Sequence, residues 1–348
     1  MNRELLQKLA VHYLAPILVL PPTSVFISPT LRCSSKCFHC GVWRDRKKIV
    51  ELSPTQWERL LDDPYLVRAR TLWFSGGEPF LRADLAELAR RTTDALPGLK
   101  SFTVATNALH PFRLETFLET VLPAFKNRGI YCWIHLSLDG PARIHDQMRG
   151  VEGAFHSLER AVIILRRIKE SGANIGWGFN CVLTGVNAQY IAETEKIASG
   201  MGGEITFNLA LPEGGFYRGS GSGELNAEDR STIKPLIEQF IRRDGAYYRR
   251  FYESVLDVLE RRPRRRRCET LEATLYLDPD GSAYPCPYAY DEFRVETYPG
   301  GMQDVWKRLA KYRSYIRRRF CPDCSLGCSF GEGISLSELM KLGREGLL

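Results

Sequence analysis

Along much of the chain, short apolar runs alternate with longer stretches of mixed polarity. The apolar runs are Ser24–Ser28, Thr71–Ser75, Ser101–Thr106, Tyr131–Asp139, Ile175–Leu183 and Glu204–Ala210, and they are rich in β-branched and aromatic residues. Runs of that length and composition predict strands. Helix-length stretches near 54–64, 82–95, 113–125, 152–171 and 188–200 separate them, and a sixth, 227–243, follows the last. Six such repeats argue for an α/β fold whose parallel sheet is covered by helices. They are too few for a full eight-stranded barrel.

The flanks read differently. Residues 2–19 have the pattern of a short amphipathic helix, which Pro21-Pro22 ends. After the sixth strand comes a glycine-rich stretch, 212–224, suited to a loop over the strand ends. A helix near 244–262 leads into the run Arg261-Arg-Pro-Arg-Arg-Arg-Arg267. The expected divisions are a lead-in (1–23), a sheet-forming core (24–243), a linking helix and basic linker (244–267), a cysteine-rich unit (268–334) and a terminal helix (335–348).

In parallel sheets, ligands collect at the carboxyl ends of strands. The residues with chemistry fall there. Cys33, Cys37 and Cys40 follow the first strand in Leu31-Arg-Cys-Ser-Ser-Lys-Cys-Phe-His-Cys40, and Gly76-Gly-Glu-Pro79 follows the second. Thr106-Asn107 closes the third, and Ser137 and Asp139 the fourth. The Cys-x3-Cys-x2-Cys spacing offers three thiolates and leaves a cluster corner open, whereas electron-transfer clusters usually take four cysteines. Taken alone, it fits an iron–sulfur cluster or part of a zinc site.

The ten cysteines of this 348-residue chain sharpen that reading. Three lie near residue 35 and five, Cys268, Cys286, Cys321, Cys324 and Cys328, in the last eighty-one residues. No apolar run reaches the ~20 residues of a membrane span, and the start lacks the regions of a signal peptide. A cytoplasmic chain is expected, with its cysteines as metal ligands rather than disulfides. Cys132 and Cys181, each alone in a strand-like run, read as core thiols. The net charge of +7 comes mainly from arginine. The basic run has no interleaved aromatic motif, so nucleic acid is not the expected partner.

Taken together, the cysteine triplet, Gly76–Pro79, Thr106-Asn107 and Ser137-Leu-Asp-Gly-Pro-Ala-Arg-Ile-His-Asp-Gln-Met-Arg-Gly150 resemble the radical S-adenosylmethionine (radical SAM) superfamily, over roughly residues 24–215. The resemblance implies a partial (β/α)6 TIM-like barrel. It also implies a 4Fe-4S cluster on Cys33, Cys37 and Cys40, whose open iron is chelated by S-adenosylmethionine. Reductive cleavage would release a 5′-deoxyadenosyl radical that abstracts hydrogen from substrate. By the same resemblance, Gly76, Gly77 and Glu78 would meet the methionine amino group, Ser137 the ribose and Arg149 the carboxylate, with Thr106 and Asn107 forming the turn after strand three. Two positions depart from the family: Ala108 stands where a glycine follows Thr106-Asn107, and His39 where an aromatic residue packs on adenine. His145 and Asp146 read as local hydrogen-bonding groups.

The carboxyl-terminal cysteines form a second pattern. Asp278-Pro-Asp-Gly281 is a hairpin signal between Cys268 and Cys286, and Cys321-Pro-Asp-Cys-Ser-Leu-Gly-Cys328 follows. Four of these thiolates can close round an iron–sulfur cluster or a tetrahedral zinc. Beside a radical SAM core, the pattern resembles the SPASM/twitch extension, a small β-hairpin and helix domain for auxiliary 4Fe-4S clusters. Five cysteines suffice for one such cluster, with Cys268, Cys286, Cys321 and Cys324 as ligands and Cys328 as a substitute or extra. The implied enzyme is a radical SAM oxidoreductase or maturase that oxidatively modifies a peptide or protein, with a small-molecule or cofactor-biosynthesis oxidoreductase as the alternative, supplied by a flavodoxin- or ferredoxin-type electron donor. A nonenzymatic iron–sulfur or zinc-binding protein is the alternative of another class. The thirty-two residues before Cys33 disfavour a leader-binding domain at that end. Trp177, Asn208, Glu213 and Tyr217 are candidate substrate readers.

Overall fold

The sheet runs in the order β6-β5-β4-β3-β2-β1-β7-β8, in a computed structural model that describes residues 19, 21–44, 50–211, 225–243, 246–263, 268, 270–290, 292–297 and 300–324. Its strands are β1 (Ser24–Thr30), β2 (Thr71–Gly76), β3 (Ser101–Thr106), β4 (Tyr131–Ser137), β5 (Ile175–Leu183), β6 (Glu204–Leu209), β7 (Thr274–Leu277) and β8 (Ala283–Tyr284). The first six pair in parallel, each with the next in sequence. They form the expected partial α/β barrel.

Helices return the chain between strands. They are α1 (Pro54–Leu61), α2 (Leu85–Asp94), α3 (Pro111–Arg128), α4 (Ala142–Arg149), α5 (Ala154–Glu170) and α6 (Ile191–Gly200). Local chemistry sets their ends. Ser53 and Gln56 form a capping box at α1, with Pro54 in the first turn. At α5, the Asp146 carboxylate accepts from Gly153 N at 2.7 Å and Phe155 N at 2.8 Å. Helices α7 (Ala227–Arg243) and α8 (Ala246–Leu259) follow the sheet, then the short α9 (Thr270–Ala273), α10 (Met302–Ala310) and α11 (Arg313–Arg319). No helix among the described residues is long and apolar enough to cross a membrane.

Strand alternation divides two environments. Leu72, Phe74, Phe102, Val104, Ile134 and Leu136 face the helices and fill the main core. Cys132 is buried in that core, and Cys181 lies in a second one with Phe207, Phe240 and Tyr252. Trp177 also sits in the main core, so it packs rather than reads substrate. Asn208 is buried and donates to Asn180 Oδ1 at 2.5 Å. Glu213, Tyr217, the 2–19 stretch, Cys328 and the terminal helix lie outside the described residues.

The cysteine-rich segment joins the same sheet. Strand β7 pairs in parallel with β1, Ser24 opposite Thr274 through Ile27 opposite Leu277. The hairpin closes at Asp278–Gly281, where Gly281 N donates to Asp278 O at 2.8 Å and Gly281 takes φ +81°. Strand β8 then pairs antiparallel with β7. The 268 boundary drawn from sequence is thus crossed by sheet hydrogen bonds.

Phe102 is fully buried, with its ring 4.9 Å from Phe74 and 5.1 Å from Phe125. Phe102→Ala is expected to cost about 3–5 kcal/mol, read as a lowered urea midpoint without loss of the far-UV helix signal.

Candidate active site

The loop after β1 is held from two sides. On one side, Lys36 N donates to Arg149 O at 2.9 Å and Phe38 N to Met148 O at 3.3 Å, tying it to the end of α4. Gly150 ends that helix with φ +62°, and a Cβ there would lie 2.8 Å from Lys36 O. On the other side, Gly77 N donates to Thr30 O at 2.9 Å and Glu78 N to Arg32 O at 2.8 Å. A Cβ on Gly77 would stand 2.2 Å from Arg32 O, so only glycine permits this approach.

Glu78 faces inward. Its Oε1 accepts from Thr106 Oγ1 at 2.9 Å and Phe80 N at 3.1 Å, and its Oε2 from Asn107 N at 2.8 Å. Burial raises its pKa to about 7 even against these three donors. The carboxylate therefore bridges the ends of β2 and β3, and the Gly76–Gly77 backbone meets the cysteine loop. Asn107 reaches the same loop, its Nδ2 2.8 Å from Ser35 Oγ and 4.0 Å from Cys33 Sγ. Ala108 adopts φ +60°, the left-handed turn that a glycine makes without strain. Its N–H is held by Thr106 Oγ1 at 3.0 Å, and Leu109 N by Asn107 Oδ1 at 3.0 Å.

Beneath the loop lies a buried ion pair, Arg149 Nη2 to Asp139 Oδ2 at 2.5 Å. The Arg149 Nη1 also donates to Cys37 Sγ at 3.5 Å. Burial alone would raise the Asp139 carboxyl, but Arg149, His39, His145 and the Val182 N–H hold it below the usual value. Asp139 N donates to His145 Nδ1 at 3.1 Å, which is a local hydrogen bond. His39 is buried, and burial lowers its pKa to about 4. Ser137 ends β4 opposite Asn180. Ser34 and Ser35 were not among the sequence candidates. Asp139 and Arg149 were named separately, one at a strand end and one as a carboxylate contact, but their pairing was not foreseen.

The three thiols sense one another. Burial, with Cys37, Glu78 and Cys40 nearby, raises Cys33 to about 12, and burial with Cys37 raises Cys40 to about 11. Burial raises Cys37 as well, opposed by Arg149. Metal binding would draw off these protons. The second set also converges. Cys321 shares a hydrogen bond with Cys268, and its pKa is raised further by burial and by the charges of Cys268, Cys324 and Cys286. Burial raises Cys286, followed by the charge of Cys324. Among the described residues, no three His, Cys, Asp or Glu side chains close to single-ion range. A four-iron cube holds its thiolates further apart than one ion does.

Residues 27–198 match the family model of the radical SAM superfamily. The chain belongs to that superfamily. Among curated radical SAM relatives, it is 30% identical to the Fe-coproporphyrin III synthase of Methanosarcina barkeri (strain Fusaro / DSM 804) over 220 residues, 60% of this chain and 49% of the relative. It therefore spans about half the length of that synthase. It is 26% identical to mycofactocin maturase MftC of Mycobacterium tuberculosis (strain CDC 1551 / Oshkosh) over 298 residues, 82% of this chain and 70% of the relative. Streptococcus suis SuiB bound to S-adenosylmethionine superposes with TM-score 0.62 at 18% identity, covering 97% of this chain and 78% of that one. SuiB bound to precursor peptide SuiA gives TM-score 0.62 at 17% identity, covering 96% and 76%. These two structures show the fold.

A 4Fe-4S cluster and S-adenosylmethionine are the cofactors of this radical SAM chain, and the donor set fits them. Three thiols share one loop, and His39 Nδ1 and Arg149 Nε are buried with no hydrogen-bond partner among the described residues. Such atoms are uncommon in proteins and suit a polar ligand. The convergent carboxyl-terminal thiols fit a SPASM-like auxiliary cluster.

Asp139→Asn removes the charge that compensates a buried guanidinium. The expected loss is about 3–5 kcal/mol, measured by urea denaturation of the cluster-free chain, with Asp304→Asn at the exposed Arg308 pair as the control of small effect.

Proposed function

We propose that this chain is an oxidoreductase that modifies a peptide or protein by abstracting hydrogen from it. The observation that carries the reading is the meeting, at the carboxyl ends of β1 to β4, of the three-cysteine loop with the Gly76–Gly77 backbone, Asn107 and Arg149. When bound, the cluster and S-adenosylmethionine supply a hydrogen-abstracting 5′-deoxyadenosyl radical. Cys33, Cys37 and Cys40 hold the cluster. The backbone of Gly76 and Gly77 takes the methionine amino group, with Glu78 fixing that turn against Thr106 and Asn107. Arg149 serves the carboxylate while anchored to Asp139, Ser137 the ribose, and His39 the adenine face.

Cys268, Cys286, Cys321 and Cys324 would hold one auxiliary cluster, which would supply a site for the electron left after hydrogen abstraction. The net outcome is a two-electron oxidation of the substrate. A peptide substrate is favoured by the reach of the similarities. The synthase match stops at 60% of this chain, whereas the maturase match extends over 82%. A small-molecule oxidation is the second reading, supported by the synthase. A flavodoxin- or ferredoxin-type protein supplies the first electron, and the cytoplasm is the compartment proposed.

Anaerobic reconstitution tests this directly. Two clusters require about eight irons per chain, and dithionite with S-adenosylmethionine should release 5′-deoxyadenosine. Cys37→Ala should halve the iron and abolish the nucleoside. Absence of 5′-deoxyadenosine from the loaded wild-type chain would sink the enzymatic reading. Four irons accompanied by one zinc would sink the auxiliary cluster alone.

A further inference from the structure

Helices α10 and α11 carry a surface that the cofactor sites do not use. Lys307, Arg308, Lys311, Arg318 and Arg319 are all exposed there. Asp304 is the acidic residue of the two helices, and Arg308 lies 3.7 Å from it. Lys307, Lys311, Arg318 and Arg319 have no ion-pair partner among the described residues. Two large aromatic side chains stand in the same stripe, Tyr312 at 37% and Tyr315 at 45% exposure. On α11, Tyr315, Arg318 and Arg319 share one helix face by their three- and four-residue spacing.

Aromatic rings connect this face to the second set of thiols. Phe293 stacks on Tyr312 at 4.4 Å and meets Tyr315 at 5.5 Å. Tyr315 lies 6.4 Å from Phe320, and Phe320 5.4 Å from Tyr288. Phe320 and Tyr288 pack in one cluster with Cys286, Cys321 and Cys324. Arg319 sits over the Phe320 ring at 5.6 Å. Electron tunnelling weakens steeply with distance, so a redox partner must dock on the surface nearest the centre it serves. A cationic surface with exposed aromatic rings steers and seats an acidic protein.

We propose that the α10–α11 face docks an acidic one-electron carrier protein of the flavodoxin type, which removes the electron from the auxiliary cluster. The proposal rests on the auxiliary-cluster reading of Cys268, Cys286, Cys321 and Cys324. In each passage, the reduced cluster loses one electron and returns to its oxidised state. The carrier's flavin gains that electron and takes one proton from solvent. The electron itself comes from the substrate during its oxidation.

The test uses the full chain with Cys33, Cys37 and Cys40 all changed to Ala and reconstituted anaerobically, so that only the auxiliary site can hold iron. Fluorescently labelled flavodoxin reports binding by anisotropy. Stopped-flow mixing of the dithionite-reduced protein with oxidised flavodoxin reports transfer at the flavin absorbance. Binding and transfer should weaken as salt rises, and R318E/R319E should slow association by about tenfold or more. R318K/R319K should retain both, with unchanged iron content. A loaded cluster whose binding and transfer ignore the charge reversal overturns the docking proposal alone. Polyglutamate that competes with flavodoxin, in a protein that transfers no electron to the flavin, also overturns it, in favour of an acidic peptide. Zinc in place of iron at the four cysteines overturns the auxiliary-cluster reading and the docking proposal together.

Discussion

The buried Asp139–Arg149 pair is the joint on which the cysteine loop depends. It takes one residue from the end of β4 and one from the end of α4, while Asp139 Oδ1 also accepts from Val182 N at 3.1 Å on β5. Asn187 Nδ2 donates to Asp139 O at 2.9 Å, fixing the backbone of that corner. The guanidinium then reaches Cys37 Sγ, and the carbonyl of the same arginine holds Lys36 N. One residue therefore sets both the charge beneath the thiols, through its side chain, and the path of the loop above them, through its carbonyl. Two desolvated charges are tolerated there because each compensates the other. Loss of either side chain leaves the other charge buried and uncompensated.

Much of the barrel was legible in the chain because each strand announces itself locally. Ser101–Thr106 and Ile175–Leu183 begin and end where the apolar runs do, and β1 runs only two residues further, to Thr30. Helix α4 was not predicted: its eight residues sit inside the Ser137–Gly150 segment, whose charged residues obscure an apolar stripe. Helices α10 and α11 are likewise short, and their apolar residues Val305, Trp306 and Ile316 are buried by tertiary contact. The placement of β7 beside β1 is a pairing between residues 250 positions apart in sequence (Ser24 with Thr274), which no local pattern encodes.

The candidate site divides the same way. Cys33, Cys37 and Cys40 are legible as candidate ligands from their spacing and its context, whereas the groups that hold their loop lie in distant segments, at Gly77–Glu78, Asn107 and Met148–Arg149. Glu78 shows the difference well. Its motif position points toward a ligand, yet three donors, two at the end of β3 and one in its own turn, occupy the carboxylate. Ala108 shows the converse. The residue type argued against a glycine-like turn, but two side-chain hydrogen bonds keep the backbone left-handed, against a cost of about 1–2 kcal/mol.

The sheet also fixes how the two thiol sets relate. Cys33 follows β1 at its carboxyl end, whereas Cys268 precedes β7, the strand paired in parallel beside it. Strand β8 runs back antiparallel, so Cys286 leaves toward the amino end of β7. The four residues of β7 rise roughly 13 Å, and this length separates the two ends. Along it, on the face opposite Val25 and Ile27, Phe26 stacks on Trp73 at 4.9 Å and approaches Tyr276 at 4.9 Å, and Tyr276 meets Tyr284 at 5.4 Å. A peptide oxidised as proposed would give up its hydrogen at one end of this aromatic wall and its electron at the other. The pairing of β7 with β1 is thus what fixes the two thiol sets relative to one another.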